Sequence, residues 1–220
     1  MSDQENQAKP LRIGVLALQG AFTEHQHVLN RIAGVGSTVQ VKTKEAFEDD
    51  TLDALILPGG ESTTMALIAE RSGVMEPLRN WVQKGKPVWG TCAGMILLSN
   101  TAHRTKIGGQ ALIGGLDVTV KRNAFGAQVD SFVADLNVPC IASPEVVFPG
   151  VFIRAPIIES VDADNVEVIA KVQKDGQSEG SIVAVKQGHI LATAFHPELT
   201  DDDRFHRYFV DMIKALQTSK

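Results

Sequence analysis

A thiol sits between two glycines in Gly90-Thr91-Cys92-Ala93-Gly94, where the run Pro87-Val88-Trp89 ends and the run Met95-Ile96-Leu97-Leu98 begins. This is the sequence form of a nucleophile elbow, a tight strand-to-helix turn that presents its nucleophile at the end of a sheet. The positive end of the following helix favours thiolate over thiol. A nucleophilic cysteine needs a base, and the chain supplies one far downstream. The buried-strand pattern Ile190-Leu191-Ala192-Thr193-Ala194-Phe195 runs directly into His196-Pro197-Glu198. His196 has the chemistry to take the thiol proton and return it to a leaving group. Glu198 has the chemistry to hold the imidazole tautomer and stabilise the imidazolium. Pro197 fixes its own φ and stiffens the segment that carries both side chains. Taken singly, a cysteine before an apolar helix is commonly a small core residue, and His-Pro-Glu after a strand is commonly a turn. Found together at two strand ends, they point to covalent catalysis.

A third strand end carries Leu57-Pro58-Gly59-Gly60-Glu61-Ser62-Thr63-Thr64-Met65. The two glycines bare backbone N–H groups to a ligand. One such N–H, with that of Ala93, has the makings of an oxyanion hole. Ser62 or Thr63 is expected to cap the helix that follows. Gly-Gly alone is a weak signal. It gains weight because open parallel sheets keep their working loops at the carboxyl ends of strands.

The elements that must position these residues alternate. Residues 11–17 read as a buried strand, 22–33 as a helix, 37–42 and 53–57 as strands, 63–71 and 76–84 as helices, and 87–90 as a strand before the elbow. A βαβα order implies a parallel sheet with helices on both faces. The middle of the chain is strand-rich: 116–122, 128–135, 146–154, 166–172, 181–187 and 190–195, with hairpin turns expected at Asp175-Gly176 and Gln187-Gly188. Residues 203–217 form a last helix whose Phe205, Phe209, Met212, Ile213 and Leu216 share one face. The stretch 100–110 reads as a loop without an assigned role, and its His103 as an exposed loop histidine.

At 220 residues and 44% hydrophobic composition, the chain can bury a sizeable core. A net charge of −5 with no basic run argues against nucleic acid as a partner. No apolar run approaches the roughly 20 residues that cross a bilayer. Residues 1–10 are polar and read as a flexible tail rather than a targeting peptide, leaving 11–220 as one domain. Of the two cysteines, Cys92 must be free to act, which suits a reducing cytoplasm; Cys140 reads as packing. No Cys/His spacing resembles a metal site.

These blocks resemble those of class I (triad) glutamine amidotransferases. More narrowly, the chain is similar to the glutaminase subunit of pyridoxal 5′-phosphate synthase, the Pdx2/SNO family. The resemblance rests on the elbow, on Phe195-His196-Pro197-Glu198-Leu199-Thr200 and on the glycine loop. It also rests on Gly14-Val15-Leu16-Ala17-Leu18-Gln19-Gly20-Ala21-Phe22-Thr23-Glu24-His25, on Arg122-Asn123-Ala124-Phe125-Gly126 and on Val151-Phe152-Ile153-Arg154-Ala155-Pro156. Trp89 departs from it, standing where Phe or Met is usual. The resemblance implies an α/β fold of three layers, a mixed, mostly parallel central sheet flanked by helices around a flavodoxin-like core. It implies Cys92, His196 and Glu198 as the triad, the Gly60 and Ala93 N–H groups as oxyanion donors, and Gly60, Glu61, Ser62, Arg122, Ile153 and Arg154 as the substrate site.

For L-glutamine the bare chemistry agrees, since a carboxylate such as Glu61 suits the α-ammonium group, and arginine or backbone amides suit the α-carboxylate. Without the resemblance, Arg122 reads equally as a solvated strand-end charge and Arg154 as half of an ion pair. The implied reaction is hydrolysis of glutamine to glutamate and ammonia through a γ-glutamyl thioester. The implied partner is a Pdx1/SNZ-type pyridoxal 5′-phosphate synthase subunit that consumes the ammonia and activates the glutaminase on docking. The segment Gln19-Gly20-Ala21 is a candidate contact for it. The chain itself is expected to carry no metal or cofactor. The competing readings are a glutaminase serving another acceptor and a non-catalytic regulatory subunit of the same fold.

Overall fold

The structure, a computed structural model, describes residues 9–48, 50–103, 109–122, 124, 131–173 and 180–218. Its first half alternates as expected. β1 (Leu11–Leu16) leads through α1 (Phe22–Leu29) to β2 (Val35–Val41). β3 (Ala54–Leu57) is followed by α2 (Ser62–Arg71) and α3 (Met75–Gln83), and β4 (Val88–Thr91) by the six-residue α4 (Ala93–Leu98). Then come β5 (Ser99–His103), β6 (Leu116–Lys121), β7 (Ser131–Leu136), β8 (Phe148–Ile153), β9 (Ile157–Val161), β10 (Glu167–Val172), β11 (Ser181–Gln187), β12 (Ile190–Thr193) and α5 (Arg204–Thr218).

Among the described residues the main sheet has ten strands, in the order β2-β1-β3-β4-β12-β11-β9-β6-β5, with β10 also paired to β11. The half from β2 to β12 is parallel throughout. Beyond it β11 runs antiparallel to β12, β10 and β9, and β9 antiparallel to β6, while β5 and β6 are parallel. β7 and β8 form a separate antiparallel ribbon. The α/β class and the mixed sheet therefore agree with the sequence reading.

The composition of the central strands explains this layout. Ala54-Leu55-Ile56-Leu57, Val88-Trp89-Gly90-Thr91 and Ile190-Leu191-Ala192-Thr193 are buried at every position. Unbroken burial is what a parallel strand covered on both faces requires. On α5, Phe205, Phe209, Met212 and Ile213 are buried and Leu216 packs against the core. Aromatic contacts carry this packing outward: Phe205 meets Phe195 (ring centroids 5.2 Å apart) and Phe148 (4.8 Å), and Phe152 meets Phe195 (5.6 Å). Phe148 and Phe152 belong to β8, so rings anchor the ribbon beside the end of β12.

Several local expectations need correction. The helix read over 22–33 ends at Leu29, because Gly34 turns the chain at φ +92° and the Ile32 amide bonds back to the Leu29 carbonyl (3.0 Å). The start of the 100–110 loop is strand: polar Ser99–His103 lacks an apolar rhythm but finds a parallel partner in β6. His103 is exposed, as expected, but it ends this strand and bonds Glu159 Oε2 through Nδ1 (2.6 Å). β9 was not anticipated; it is held between β6 and β11. Neither Ser62 nor Thr63 caps α2. Glu61 holds the N-cap position without a capping side-chain bond.

The turn at Gln187-Gly188 is present: Gln187 pairs with Ile190, and Gly188 takes φ +53°. The proposed turn at Asp175-Gly176, residues 128–130, and Asn123, Phe125 and Gly126 lie outside the described residues, as do eight of the ten residues read as a tail. Among the described residues no helix is long and apolar enough to cross a membrane.

Candidate active site

Cys92 occupies the junction of β4 and α4. Its N–H donates to the Thr193 carbonyl (2.8 Å), and its own carbonyl accepts the first helical bond, from Ile96 N–H (3.2 Å). Its backbone stands at φ +46°, ψ −100°, a region that residues with a side chain rarely enter. The surrounding contacts hold it there. A methyl group at Gly94 would overlap the Leu57 carbonyl, and one at Gly90 would strike the Gly94 backbone. The glycines thus let α4 descend closely onto β3 and β4, with Cys92 buried at the junction and turned toward a cleft.

His196 follows β12, which lies beside β4 in parallel register, with Thr193 opposite Thr91. Pairing of the two strands delivers both motifs to one end of the sheet. The His196 N–H donates to the Val151 carbonyl (2.8 Å), tying it to β8. Pro197–Leu199 make one 3-10 turn, which folds Glu198 back onto the ring: Nδ1 and Oε1 are 2.8 Å apart. His196 and Glu198 are both buried, 7% and 6% exposed. Burial opposes charge on the imidazole. Hydrogen bonds and attraction from Cys92 and Glu198 outweigh it, raising His196 from 6.5 to about 10. Since Glu198 holds Nδ1, Nε2 is the nitrogen left for the thiol. A side chain at Gly59 would overlap the His196 ring, so the glycine loop backs directly onto the base.

A cleft of about 200 Å³ opens over these groups. That is below the roughly 300–1,000 Å³ of pockets for drug-sized ligands and matches a small polar molecule. Cys92 and His196 share it with Gly60, Glu61 and Ser62 from the loop after β3, Arg122 after β6, and Ile153 and Arg154 at the end of β8. Of the residues singled out from sequence, two do not line it. Glu198 lies behind His196, and Ala93 is buried as the first residue of α4, where backbone N–H groups lack helical partners. The Gly59 carbonyl accepts from the Ala21 N–H (3.1 Å). In a trans peptide this turns the Gly60 N–H away from Ala21.

The rim is charged. Glu61 Oε1 accepts from Arg122 Nη2 (2.9 Å) and from the Thr63 hydroxyl (2.9 Å). Partial burial would raise the Glu61 pKa, but the Thr63 bond and the charges of Arg122 and Arg154 bring it below its usual value. Arg154 takes φ +43°, a second strained backbone on the cleft. Ser62 donates through Oγ to Gln110 Oε1 (3.0 Å).

Gln19 and Ile96 also line the cleft and were not singled out as site residues. Gln19 accepts the Glu61 N–H at Oε1 (2.7 Å), so it braces the glycine loop from the loop after β1. It stood inside a block quoted for the resemblance, but an uncharged amide offered no chemical signal by itself. Two fully buried histidines, His25 and His206, carry no chemical signal in the sequence reading above. His206 was legible as a polar residue interrupting the apolar face of α5. Among the described residues no group of three or more His, Cys, Asp or Glu side chains is arranged to hold a metal ion.

The chain is similar to several known proteins over nearly its whole length. The chain is 49% identical over 210 residues to pyridoxal 5′-phosphate synthase subunit PdxT of Bacillus cereus (strain B4264), spanning 96% of this chain and 98% of that one. It is 48% identical over 228 residues to the probable pyridoxal 5′-phosphate synthase subunit PDX2 of Arabidopsis thaliana, spanning 94% and 88%. A crystal structure of a glutamine amidotransferase superposes with a TM-score of 0.79 at 42% identity, covering 92% of this chain and 98% of that one. The structure of PurLQS from Thermotoga maritima, at 21% identity and a TM-score of 0.60 over 96% of this chain and 100% of that one, shares the fold. Residues 15–215 match the SNO glutamine amidotransferase family, and with that elbow, that imidazole and that cleft the chain belongs to it, as an enzyme acting on glutamine.

Proposed function

We propose that the chain hydrolyses L-glutamine to glutamate and ammonia through Cys92, His196 and Glu198, and passes the ammonia to a synthase subunit that makes pyridoxal 5′-phosphate. The observation that carries this reading is the shared cleft of Cys92 and His196, with Glu198 bonded to the far nitrogen of the same imidazole. The relatives named as pyridoxal 5′-phosphate synthase subunits support the choice of acceptor over any other. Intact triad residues speak against a merely regulatory role. Residues 11–220 act as one glutaminase domain behind a short tail, in the cytoplasm, where Cys92 stays reduced.

With His196 raised to about 10, the resting site at neutral pH holds an imidazolium beside Cys92. In the proposed cycle the sulfur attacks as thiolate with that imidazolium beside it. Glutamine binds with its ammonium group toward Glu61 and its carboxylate toward the arginine-bearing rim of Ser62, Arg122, Ile153 and Arg154. The sulfur attacks the side-chain amide carbon, forming the C–S bond. The Gly60 and Ala93 N–H groups stabilise the oxyanion, each donor of such a hole being worth about 2.7–4 kcal/mol. His196 gives its proton to the departing nitrogen as the C–N bond breaks, leaving ammonia and a γ-glutamyl thioester. Neutral His196 then takes a proton from water; the hydroxide attacks the thioester, and glutamate leaves as the Cys92–His196 pair is restored.

The test is glutamate release from glutamine by the chain alone, with a pyridoxal 5′-phosphate synthase subunit, and with that subunit and Cys92→Ala. Weak activity alone, stimulation by the subunit and none in the variant are expected. Undiminished release by Cys92→Ala would overturn the nucleophile. Activity indifferent to the synthase subunit would favour a different acceptor.

A further inference from the structure

Behind Glu198 lies a polar chain that the hydrolysis does not require on paper. Glu198 Oε1 is taken by His196, while Oε2 is buried with no hydrogen-bond partner among the described residues. The imidazole of His25, on α1, faces that oxygen: Nε2 stands 3.4 Å from Oε2 and 3.2 Å from Thr91 Oγ1. Its Nδ1 is 2.9 Å from Nε2 of His206, on α5. Both rings are fully buried, edge-on to Trp89 beneath the elbow. Three elements distant in sequence thus meet behind one carboxylate.

The tautomers follow from counting donors. If His25 carries its proton on Nε2, it turns an N–H toward Thr91 and the unpaired carboxylate oxygen. Its Nδ1 then accepts from a His206 protonated on Nε2. The cost is one unpartnered acceptor, His206 Nδ1, which has no hydrogen-bond partner among the described residues. The opposite assignment sets a lone pair against the buried carboxylate and leaves His206 Nδ1–H as an orphan donor. Buried orphan donors are the rarer defect. Both rings stay neutral: burial first, then repulsion from His206 and His196, keeps His25 well below its usual value, and burial lowers His206 to about 3.

We propose that His25, held by His206 as the Nε2–H tautomer, is a positioning residue that fixes Glu198 and through it the catalytic imidazole. This rests on the triad reading above. The 3.4 Å separation is longer than a formed hydrogen bond, and catalytic contacts of this kind tighten when substrate binds. Glu198 sits on a single short turn, so Oε1 alone leaves its carboxylate free to pivot. An N–H against Oε2 removes that freedom without adding charge that would compete with the imidazolium.

Two measurements test it. Imidazole ¹⁵N correlation spectra of the intact chain should show His25 and His206 both neutral and protonated on Nε2; a His25 protonated on Nδ1, or on both nitrogens, would overturn the proposal. In the assay with the synthase subunit, His25→Asn should lower kcat about 10- to 100-fold with KM nearly unchanged, the loss expected for one hydrogen bond to a charged group. His25→Gln, whose amide nitrogen reaches the Nε2 position, should recover most of kcat. The asparagine amide reaches only the Nδ1 position, so equal kcat for the two variants would overturn the proposal whatever their stability. Glu198→Gln separates this from the underlying reading. If it lowers kcat while His25→Asn does not, only the role of His25 falls; if it leaves kcat unchanged, the orienting role of Glu198 falls and takes this inference with it.

Discussion

Glu61 and Arg122 are joined across the rim of the cleft, with Nη2 of the arginine 2.9 Å from Oε1 of the carboxylate. The Glu61 side chain is 44% exposed and that of Arg122 13%. An ion pair this open to water contributes at most about 1 kcal/mol to stability. What it fixes is direction: Thr63 and Arg122 both grip Oε1, which in the proposed binding mode aims the carboxylate at the ammonium group of glutamine. Glu61→Ala should therefore raise KM for glutamine about tenfold or more, while the unfolding free energy changes by less than about 1 kcal/mol. Thermal unfolding and steady-state kinetics on the same preparation decide it. A collapse in Tm with a normal KM would make Glu61 a structural residue.

The pairing of His196 with Cys92 and Glu198 makes stability depend on pH in a definite sense. The folded protein holds the imidazole proton up to about pH 10, whereas the unfolded chain releases it near 6.5. A group raised on folding stabilises fully below its unfolded pKa and ceases to do so as pH climbs through the folded one. Stability should fall between about pH 6.5 and about pH 10. Glu198→Gln weakens the hold on the proton and should flatten that decline. Denaturant unfolding at both ends of the window measures it, and parallel curves for the two proteins would contradict the pairing.

Gly94 lies against Leu57, where the nearest obstructing atoms are the backbone carbonyl and, behind it, the fixed Cβ. Gly94→Ala cannot be absorbed by a rotamer change. It should cost about 1–3 kcal/mol of stability, the usual range for overpacking, and displace Cys92 from the cleft. Loss of thiol alkylation by iodoacetamide together with a lowered Tm is the expected signature. An active, equally stable variant would show that the elbow tolerates a wider crossing.

Arg204, at the start of α5, donates to the carbonyls of Ser143 (3.1 Å), Val146 (2.8 Å) and Val147 (2.9 Å) while paired with Asp202 (2.6 Å). That loop feeds β8, which supplies the Val151 carbonyl to His196 and carries Ile153 and Arg154 to the cleft. Arg204→Lys keeps the charge but loses the fork that serves several acceptors at once. A loss of about 1–3 kcal/mol is expected from the abandoned carbonyls, with KM rising as Arg154 loosens. Wild-type stability and KM would dissociate this loop from the site.

The sequence by itself determined the fold class and the reactive groups. A glycine-flanked thiol, His-Pro-Glu after an apolar strand and an unbroken burial pattern in Ile190–Thr193 are local signals, written within a few residues of chain. What lay beyond it depended on partners. Ser99–His103 became a strand because β6 lies beside it, and Ile157–Val161 because β6 and β11 flank it, neither from an intrinsic rhythm. Glu61 took the cap position because its amide is held by Gln19, 42 residues away. Nothing in the short-range pattern of α1 or α5 announces that His25 and His206, separated by 181 positions, touch behind Glu198. Residue type and local spacing record which chemistry is available. Which groups meet, which are dried out and which pKa values move are properties of burial and long-range contact, and those exist only once the sheet has brought its strands together.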